Sequence, residues 1–303
     1  MYQVHVPARV DPATPAPLMF ALHGGGGSMD YQADDAHYGH ITKSDREAFV
    51  VVFPNGFSRL ASGKFATWNA GNCCGGARDQ NVDDVGFIRR IVANVTRQMN
   101  IDRNRIYATG MSNGGLMAYR LACEMSDVFK AIAAVAGTDN TRSCKPKKPV
   151  SILHMHATND THVVYTGGAG PKTRDKSMVT DFTSVAETVS KWVRLNGCTA
   201  TPRRILEKAG AYCEVYAPCQ GNAEVQLCVT ESGGHSWPPS PWRLRSPSRK
   251  QPRQSCRAKT RRRWCKRFAR SRGESKSAFD EIQGSALGGG PFSSTTLPSG
   301  SGT

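Results

Sequence analysis

The chain has 303 residues, of which 39% are hydrophobic, and a mean hydropathy of −0.45. That length suits one large soluble domain or two small ones. No stretch approaches the roughly 18 to 20 apolar residues that a membrane-spanning helix needs, and the first residues lack the charged and apolar regions of an export signal. We therefore expect a globular protein without a membrane partner.

The net charge of +16 is unevenly distributed along the chain. Residues 240–303 carry 15 of the 40 basic residues but 3 of the 24 acidic residues, which leaves a net charge of +4 for residues 1–239. Residues 240–273 contain no acid, and residues 284–303 are rich in Gly, Ser, Thr and Pro. Because such segments bury little apolar surface, we predict a folded domain over 1–239 and a largely disordered tail over 240–303.

The chain contains 10 cysteines, and none of them forms a CxxC pair. That spacing is typical of zinc ribbons and thioredoxin motifs, so its absence disfavours both classes. Eight of the cysteines lie in the predicted domain. This number favours an oxidising compartment and some disulfide bonds, with a reduced cytosolic protein as the alternative.

Short apolar runs alternate with helical patterns along residues 1–239. The predicted strands, in chain order, are Tyr2 to Val6, Leu18 to Leu22, Phe49 to Phe53, Arg105 to Thr109, Ala131 to Val135, Val150 to His154 and Ala223 to Thr230. The predicted helices cover about Asp83 to Met99, Asn113 to Cys123 and Thr180 to Asn196. This alternation predicts an α/β fold in which helices cover both faces of a mostly parallel sheet.

A candidate nucleophile, Ser112, lies in the sequence Gly-Met-Ser-Asn-Gly-Gly that follows the fourth predicted strand. A strand, a tight turn and a helix in this order are typical of a nucleophile elbow, in which flanking glycines relieve crowding and the serine hydroxyl is exposed. The amide of Asn113, at the helix N-terminus, is then a candidate donor to an oxyanion. The alternative is an ordinary glycine turn.

A glycine run follows the second predicted strand, at residues 24–27. The flexible backbone there makes Gly24, Gly25 and Gly26 candidates for the second amide of an oxyanion hole. The alternative is a loop that binds phosphate. However, a P-loop needs Gly-Lys-Ser/Thr after the glycines, and a dinucleotide-binding loop opens directly into a helix. The residues that follow this glycine run fit neither pattern well.

A serine nucleophile needs a base, and that base needs an anionic partner that selects its tautomer. Asp160 follows the predicted strand Val150 to His154, and His235 follows the predicted strand Ala223 to Thr230. Each residue comes just after the carboxyl end of a strand, where parallel sheets place their sites. The alternatives are a loop cap for Asp160 and a surface turn for His235.

Two further histidines, His154 and His156, alternate along a predicted strand. No set of carboxylates or cysteines completes a metal site with them, so we expect no metal here. The order serine, aspartate, histidine, with a glycine loop far upstream, is typical of the α/β-hydrolase fold.

Four motifs make the resemblance more specific. They are Trp-Asn-Ala-Gly-Asn-Cys-Cys-Gly at 68–75, Val-Asp-Asp-Val-Gly-Phe at 82–87, Gly-Met-Ser-Asn-Gly-Gly at 110–115 and Gly-His-Ser-Trp-Pro at 234–238. In this order they resemble the polyhydroxybutyrate depolymerase and feruloyl esterase family. The resemblance implies hydrolysis of carboxylic esters without a cofactor, usually by exported enzymes, with Ser112 as nucleophile, His235 as base and Asp160 as its orienting partner.

The resemblance leaves the acyl group open among ferulate, acetate and 3-hydroxybutyrate, because loop shape decides that choice. Trp68 and Trp237 lie beside the motifs and are candidate substrate contacts, with core packing as the alternative. The resemblance also implies structural disulfides, for which we expect Cys198 with Cys219, and Cys73 or Cys74 with Cys123.

The chain departs from that family at both ends. Relatives normally have residues before the first strand and a helix after the histidine motif, so we expect a truncated or mature start and a frame-shifted or vector-derived tail. We expect a secreted or periplasmic monomer. Two alternative functions are a serine peptidase of the same fold and binding of nucleic acid or an anionic surface by the basic tail, although no nucleic-acid-binding fold signature is present.

Overall fold

The computed structural model describes residues 1–170 and 181–237 of the chain. The predicted tail over 240–303 and its proposed binding to nucleic acid lie outside the described residues, as does the domain boundary at residue 239. No helix within the two described ranges is long and apolar enough to cross a membrane.

The described part of the chain contains one nine-stranded sheet, in the order β1-β3-β2-β4-β5-β6-β9-β8-β7. Its strands are β1 (Tyr2–His5), β2 (Ala16–Leu22), β3 (Val50–Pro54), β4 (Ile101–Met111), β5 (Ala131–Val135), β6 (Ser151–Ala157), β7 (Arg203–Lys208), β8 (Ala211–Tyr216) and β9 (Val225–Thr230). The six central strands are parallel, and β1, β7 and β8 are antiparallel to their neighbours. The mostly parallel α/β sheet predicted from the sequence is confirmed.

Helices cover both faces of this sheet. They are α1 (Met29–Ala33), α2 (Asp35–Tyr38), α3 (His40–Glu47), α4 (Gly75–Asp79), α5 (Asp84–Gln98), α6 (Asn113–Glu124) and α7 (Val185–Leu195). Successive side chains of a strand point to opposite faces. Phe20 of β2 accordingly belongs to the large core under α5, α6 and α7, whereas Met19 packs with α1 and α3 on the other face.

The seven predicted strands are all present, with shifted ends. Strands β7 and β8 were missed because they form an antiparallel edge hairpin, and β7 is mostly exposed and charged. The third predicted helix begins later than expected, at Val185. The side chain of Ser184 accepts from the amide of Glu187, and Glu187 in turn accepts from the amide of Ser184. This reciprocal cap sets the start of α7.

The eight cysteines of residues 1–239 are paired in four disulfides. Cys198 is bonded to Cys219, as the resemblance implied. The other expected pairing is wrong, because Cys123 is bonded to Cys144 and the adjacent Cys73 and Cys74 are joined to each other. The fourth bond, Cys213–Cys228, links directly opposed residues of β8 and β9, a proximity that only the antiparallel pairing of these strands creates.

Candidate active site

Ser112 lies in the tight turn between β4 and α6. Its φ of 56° and ψ of −126° are unusual for a residue that carries a side chain. Its amide donates to the carbonyl of Val135 on the neighbouring strand β5 at 2.9 Å. The strand, turn and helix expected around Ser112 are therefore present, and the strained backbone is stabilised by the sheet beside it.

Glycines flank Ser112 because the backbone of β2 passes very close to this turn. A Cβ on Gly114 would clash with the carbonyl oxygens of Leu22 and His23, the second at 2.7 Å. A Cβ on Gly110 would lie 2.5 Å from the carbonyl oxygen of Gly114. Close packing leaves no room for a side chain at either position. The GxSxG pattern thus follows from the contact between the start of α6 and β2.

Asp160 and His235 are brought together although 75 positions separate them in the chain. Asp160 follows β6 and His235 follows the adjacent parallel strand β9. The Nδ1 atom of His235 lies 2.8 Å from Oδ2 of Asp160. The other carboxylate oxygen of Asp160 accepts from the backbone amides of His162 and Val163, at 2.8 and 3.1 Å. These bonds hold the carboxylate in one orientation.

The surroundings of Asp160 keep its carboxylate ionised. Burial by itself would raise the pKa of Asp160. Hydrogen bonds from the side chains of His156 and His235 and from the amide of His162 oppose burial and hold the pKa well below the usual aspartate range. An ionised Asp160 favours the His235 tautomer with its proton on Nδ1, which leaves the lone pair of Nε2 available to accept a proton.

Ser112 and His235 line the same surface pocket, which has a volume of about 620 Å³ and also contains Gly24, Gly25 and Gly26. Among the three glycines, Gly26 is excluded as an oxyanion donor because its amide already donates to the carbonyl of Ala66 at 2.8 Å. The amides of Gly24 and Gly25 make no hydrogen bond within the described residues. They remain candidates for the second donor.

The first donor candidate, Asn113, is the first residue of α6, so its amide has no partner within the helix. Its side chain has a separate role. Oδ1 of Asn113 accepts from the backbone amide of Trp68 at 2.7 Å, and Nδ2 donates to the carbonyl of Trp68 at 3.0 Å. This pair of bonds joins the turn at Ser112 to the segment around Trp68.

His23 precedes the glycine loop, residues 24–27, and orients it through two hydrogen bonds. Its Nδ1 lies 2.8 Å from the carbonyl of Gly24, and the amide of Gly56 donates to its Nε2 at 2.9 Å. The first contact requires a donor and the second an acceptor, so His23 is neutral with its proton on Nδ1. Burial accordingly lowers the pKa of His23 to about 4, although the bond to Gly24 opposes this shift.

The expected substrate contact at Trp68 is not supported by its position. Its indole is fully buried, so it has no surface available to a ligand. Nε1 of Trp68 donates to the carbonyl of His23 at 2.9 Å, and the two rings lie 4.8 Å apart. Trp68 is therefore a packing residue, because it fills the core under the glycine loop.

Trp237 also differs from its expected position. Its ring packs edge-on against the rings of Tyr38 and His40, with both centroid distances at 5.3 Å. It does not line the pocket that contains Ser112, whereas Tyr38 does. Trp237 thus contacts the wall of this pocket from behind rather than its interior.

Two pocket residues that the sequence analysis missed are Tyr31 and Phe65. Tyr31 is 48% exposed and Phe65 is 74% exposed. Phe65 also has a positive φ of 55°, which is a strained conformation for a bulky residue and often accompanies function. The sequence shows no signal for either residue, because exposure next to Ser112 arises from how distant loops meet.

A chain of buried hydrogen bonds runs from the core to Asp160. The hydroxyl of Tyr119 lies 2.8 Å from Nδ1 of His154, and Nε2 of His154 lies 3.1 Å from Nδ1 of His156. The chain ends where Nε2 of His156 lies 2.8 Å from the carbonyl of Val163 and 3.4 Å from Oδ2 of Asp160. His154 and His156 are thus engaged with protein groups.

The two acceptors at the end of this series of hydrogen bonds determine the position of every proton in the series. A carbonyl and a carboxylate only accept, so Nε2 of His156 carries its proton and its Nδ1 accepts. His154 must then donate from Nε2 and accept at Nδ1 from the hydroxyl of Tyr119. Burial lowers the pKa of His154 and raises the pKa of Tyr119, so both stay neutral. The sequence signal was the alternation of two histidines before Asp160.

Comparison with known proteins places this geometry in context. The model of the prolyl oligopeptidase family matches residues 76–148, a stretch that includes Ser112. Feruloyl esterase B of Piromyces equi is 32% identical over 228 residues, which cover 73% of this chain and 40% of that protein. A putative esterase of Nocardia uniformis subsp. tsuyamanensis is 29% identical over 254 residues, which cover 78% of this chain and 70% of that protein.

The chain therefore spans less than half the length of the Piromyces protein. Among solved structures, the acetyl xylan esterase from Aspergillus awamori superposes with a TM-score of 0.55 at 14% identity, covering 78% of this chain and 89% of that one. Identity at this level supports the shared fold alone. Together, the sheet topology, the turn at Ser112 and these matches show that the chain has an α/β-hydrolase fold and is similar in sequence to esterases.

Proposed function

We propose that this chain hydrolyses carboxylic esters through Ser112, His235 and Asp160. The observation that carries the proposal is the 2.8 Å contact between His235 and Asp160, beside a pocket that His235 shares with Ser112. This arrangement of a partly exposed serine, an imidazole and a buried carboxylate suits nucleophilic acyl transfer. The esterase relatives support the same reaction type.

In the proposed mechanism, Ser112 attacks the ester carbonyl while Nε2 of His235 accepts the hydroxyl proton. The resulting imidazolium is stabilised by Asp160 and then protonates the leaving alcohol. Water attacks the acyl enzyme in the second half of the reaction, with His235 again acting as base. The amide of Asn113 and an amide of Gly24 or Gly25 hold the oxyanion, each worth about 3 kcal/mol.

We propose aryl esters, such as feruloyl esters, as the preferred substrates, with short acyl and polyhydroxyalkanoate esters as alternatives. The pocket presents the rings of Tyr31, Tyr38 and Phe65 next to Ser112. Planar rings pack favourably in offset or edge-on contacts with an aromatic acyl group. The four disulfides support the secreted or periplasmic location expected from the sequence.

The direct test is hydrolysis of nitrophenyl acetate, nitrophenyl butyrate, methyl ferulate and polyhydroxybutyrate by the chain and its Ser112→Ala variant. We expect activity on at least one ester, and we expect its loss in Ser112→Ala. A matched control is Ser143→Ala, since Ser143 is exposed and lies outside the pocket. Equal activity of the Ser112→Ala variant and the parent chain would refute Ser112 as the nucleophile.

A serine peptidase is the second candidate, favoured by the match to the prolyl oligopeptidase family. A triad alone does not separate esters from amides. Cleavage of aminoacyl anilides without cleavage of nitrophenyl esters would favour the peptidase. The opposite result would favour the esterase.

A further inference from the structure

A third polar side chain lies beside the pair formed by Asp160 and His235. The imidazole of His162 is stacked on that of His235, with a centroid distance of 4.8 Å and an angle of 28° between the rings. One potential metal-ligating atom from each of Asp160, His162 and His235 lies within 4.8 Å of the other two. The carboxylate is buried, His235 is partly buried and His162 is exposed. The group thus opens towards solvent on one side.

We propose that Asp160, His162 and His235 form a binding site for Zn²⁺, and that occupation of this site switches off the base of the proposed esterase. Metal binding itself is independent of the reaction, but the inhibitory consequence rests on the proposed function. No part of the catalytic mechanism requires the metal. The site would therefore act as a reversible inhibitory site that overlaps the catalytic residues.

The donor set fits the chemistry of zinc. Two imidazole nitrogens and one carboxylate oxygen, with a fourth position for water, are a common ligand set for Zn²⁺. Bond lengths of about 2.0 to 2.1 Å place tetrahedral ligands about 3.3 Å apart. Nδ1 of His235 and Oδ2 of Asp160 are already 2.8 Å apart. The side chain of His162 is exposed, and it must turn from its stacked position on His235 to bring a ring nitrogen to the metal.

Neighbouring groups hold Asp160 in place for this role. Its second oxygen accepts from the amides of His162 and Val163. His156 does not compete as a ligand, because its Nε2 carries a proton that is shared between the carbonyl of Val163 at 2.8 Å and Oδ2 of Asp160 at 3.4 Å. The carboxylate therefore keeps its orientation when its partner changes from a proton donor to a cation.

Coordination at Nδ1 of His235 removes the catalytic lone pair on Nε2. If Zn²⁺ binds Nδ1, the proton on Nδ1 moves to Nε2, which can then no longer accept the proton of Ser112. Binding at Nδ1 is the mode that Asp160 can share, because its Oδ2 lies 2.8 Å from this nitrogen. This coordination changes no oxidation state and breaks no covalent bond to carbon, so chelation of the metal restores the original tautomer.

The first test measures binding without turnover. Calorimetric titration of ZnCl₂ is carried out on the full chain carrying Ser112→Ala. Every sample also carries Cys256→Ser and Cys265→Ser, which removes the two cysteines outside the described residues as possible zinc ligands. We expect one site, and we expect the additional change His162→Gln to weaken its affinity by about tenfold or more. The matched control is His37→Gln, an exposed histidine 3.5 Å from the carboxylate of Asp34, which should leave the affinity unchanged.

The second test follows the reactivity of Ser112 with a fluorophosphonate probe. We expect Zn²⁺ to slow labelling of the chain that retains Ser112, EDTA to restore it, and the His162→Gln variant to resist the same Zn²⁺ concentration. Absence of Zn²⁺ binding by the parent, or equal affinity with and without His162, would overturn the proposal. Binding that depends on His162 in a chain without esterase activity would support the site and contradict only the proposed function.

Discussion

Nε2 of His156 lies 3.4 Å from Oδ2 of Asp160, the same oxygen that contacts Nδ1 of His235 at 2.8 Å. His156 is therefore a positioning residue, which acts on the proposed base only through the carboxylate. Its own orientation is determined by His154 and by the carbonyl of Val163.

The first prediction concerns this contact. In His156→Leu, Asp160 loses a hydrogen-bond donor, and we expect kcat to fall about tenfold, equivalent to about 1.4 kcal/mol, with little change in KM. The matched variant His156→Gln keeps an N–H close to the position of Nε2 and should recover most of the rate. Steady-state kinetics on a nitrophenyl ester provide the measurement. A parallel loss in both variants would instead indicate a purely structural role.

The second prediction concerns the contact between α6 and β2. In Gly114→Ala, the new methyl group would meet backbone carbonyls of Leu22 and His23, which cannot move without distorting the sheet. We expect a loss of about 3 kcal/mol in the free energy of unfolding, together with loss of labelling at Ser112. Urea denaturation and probe labelling measure the two effects.

The control for this prediction is Gly76→Ala in α4. There the nearest atom to the added Cβ is a ring carbon of Phe57 at 3.4 Å, an ordinary contact. We expect Gly76→Ala to be neutral or slightly stabilising, because alanine favours helices over glycine by about 1 kcal/mol. Similar destabilisation in both variants would contradict a specific role for the close approach at Gly114.

The third prediction concerns the pH dependence of stability. Burial lowers the pKa of His23 to about 4 from its usual value of 6.5, so the unfolded chain binds more protons than the folded chain between these values. The contribution of His23 to stability is therefore fully present above pH 6.5 and is lost as the pH falls towards 4. The shift corresponds to about 3 kcal/mol.

Urea denaturation at intervals between pH 4 and pH 7 tests this expectation. Protonation of Nε2 in the folded chain also breaks the bond from the amide of Gly56, so the glycine loop should lose its order as the pH approaches 4. In His23→Gln, the part of the pH dependence due to this residue should disappear. Unchanged pH dependence in that variant would show that other groups dominate acid unfolding.

The fourth prediction concerns the disulfide between Cys198 and Cys219, which closes a separation of 21 residues between the end of α7 and the turn before β9. In the double variant Cys198→Ala, Cys219→Ala, we expect a loss of about 3 kcal/mol in stability, because the unfolded chain gains conformational freedom. Thermal unfolding measures this loss. Under conditions that reduce only this bond, the Tm of the wild-type chain should fall to that of the double variant. The Tm of the double variant itself should not change under the same conditions, because it lacks this bond.

The fifth prediction concerns substrate preference. Phe65 lines the pocket and is 74% exposed, so its removal should leave the fold intact. In Phe65→Ala, we expect KM for methyl ferulate to rise about fivefold, since aromatic pairs contribute about 1 kcal/mol. We expect KM for nitrophenyl acetate to stay nearly the same, because its acyl group carries no aromatic ring. Leu60→Ala serves as a matched control, because Leu60 is exposed but does not line the pocket. Equal effects on both substrates would argue against a role in selecting the acyl group.

Much of the fold was predictable because it depends on local patterns. Alternating apolar runs and helical periodicity identified the seven strands β1 to β6 and β9, and the glycines around Ser112 indicated the turn that the structure contains. The edge hairpin of β7 and β8 was not predictable in the same way. Its charged strand β7 pairs with β8, and β8 joins the sheet through its pairing with β9.

For the candidate site, the sequence by itself determined which residue types were available and in what order. Ser112, Asp160 and His235 each follow a strand, so parallel packing was enough to predict that they lie at one edge of the sheet. It could not determine that Trp68 is buried, that Gly26 has its amide engaged, or that Phe65 is exposed at the pocket.

Those features depend on contacts between segments that are distant in the chain, and no local pattern records such contacts. The same holds for the pairing of Cys123 with Cys144 and for the stacking of His162 on His235. Local propensity and hydrophobic periodicity determined the strands, helices and turns. Only the tertiary structure decided which side chains are buried, which polar groups are already paired and which face the pocket, because burial and hydrogen bonding are properties of the assembled core.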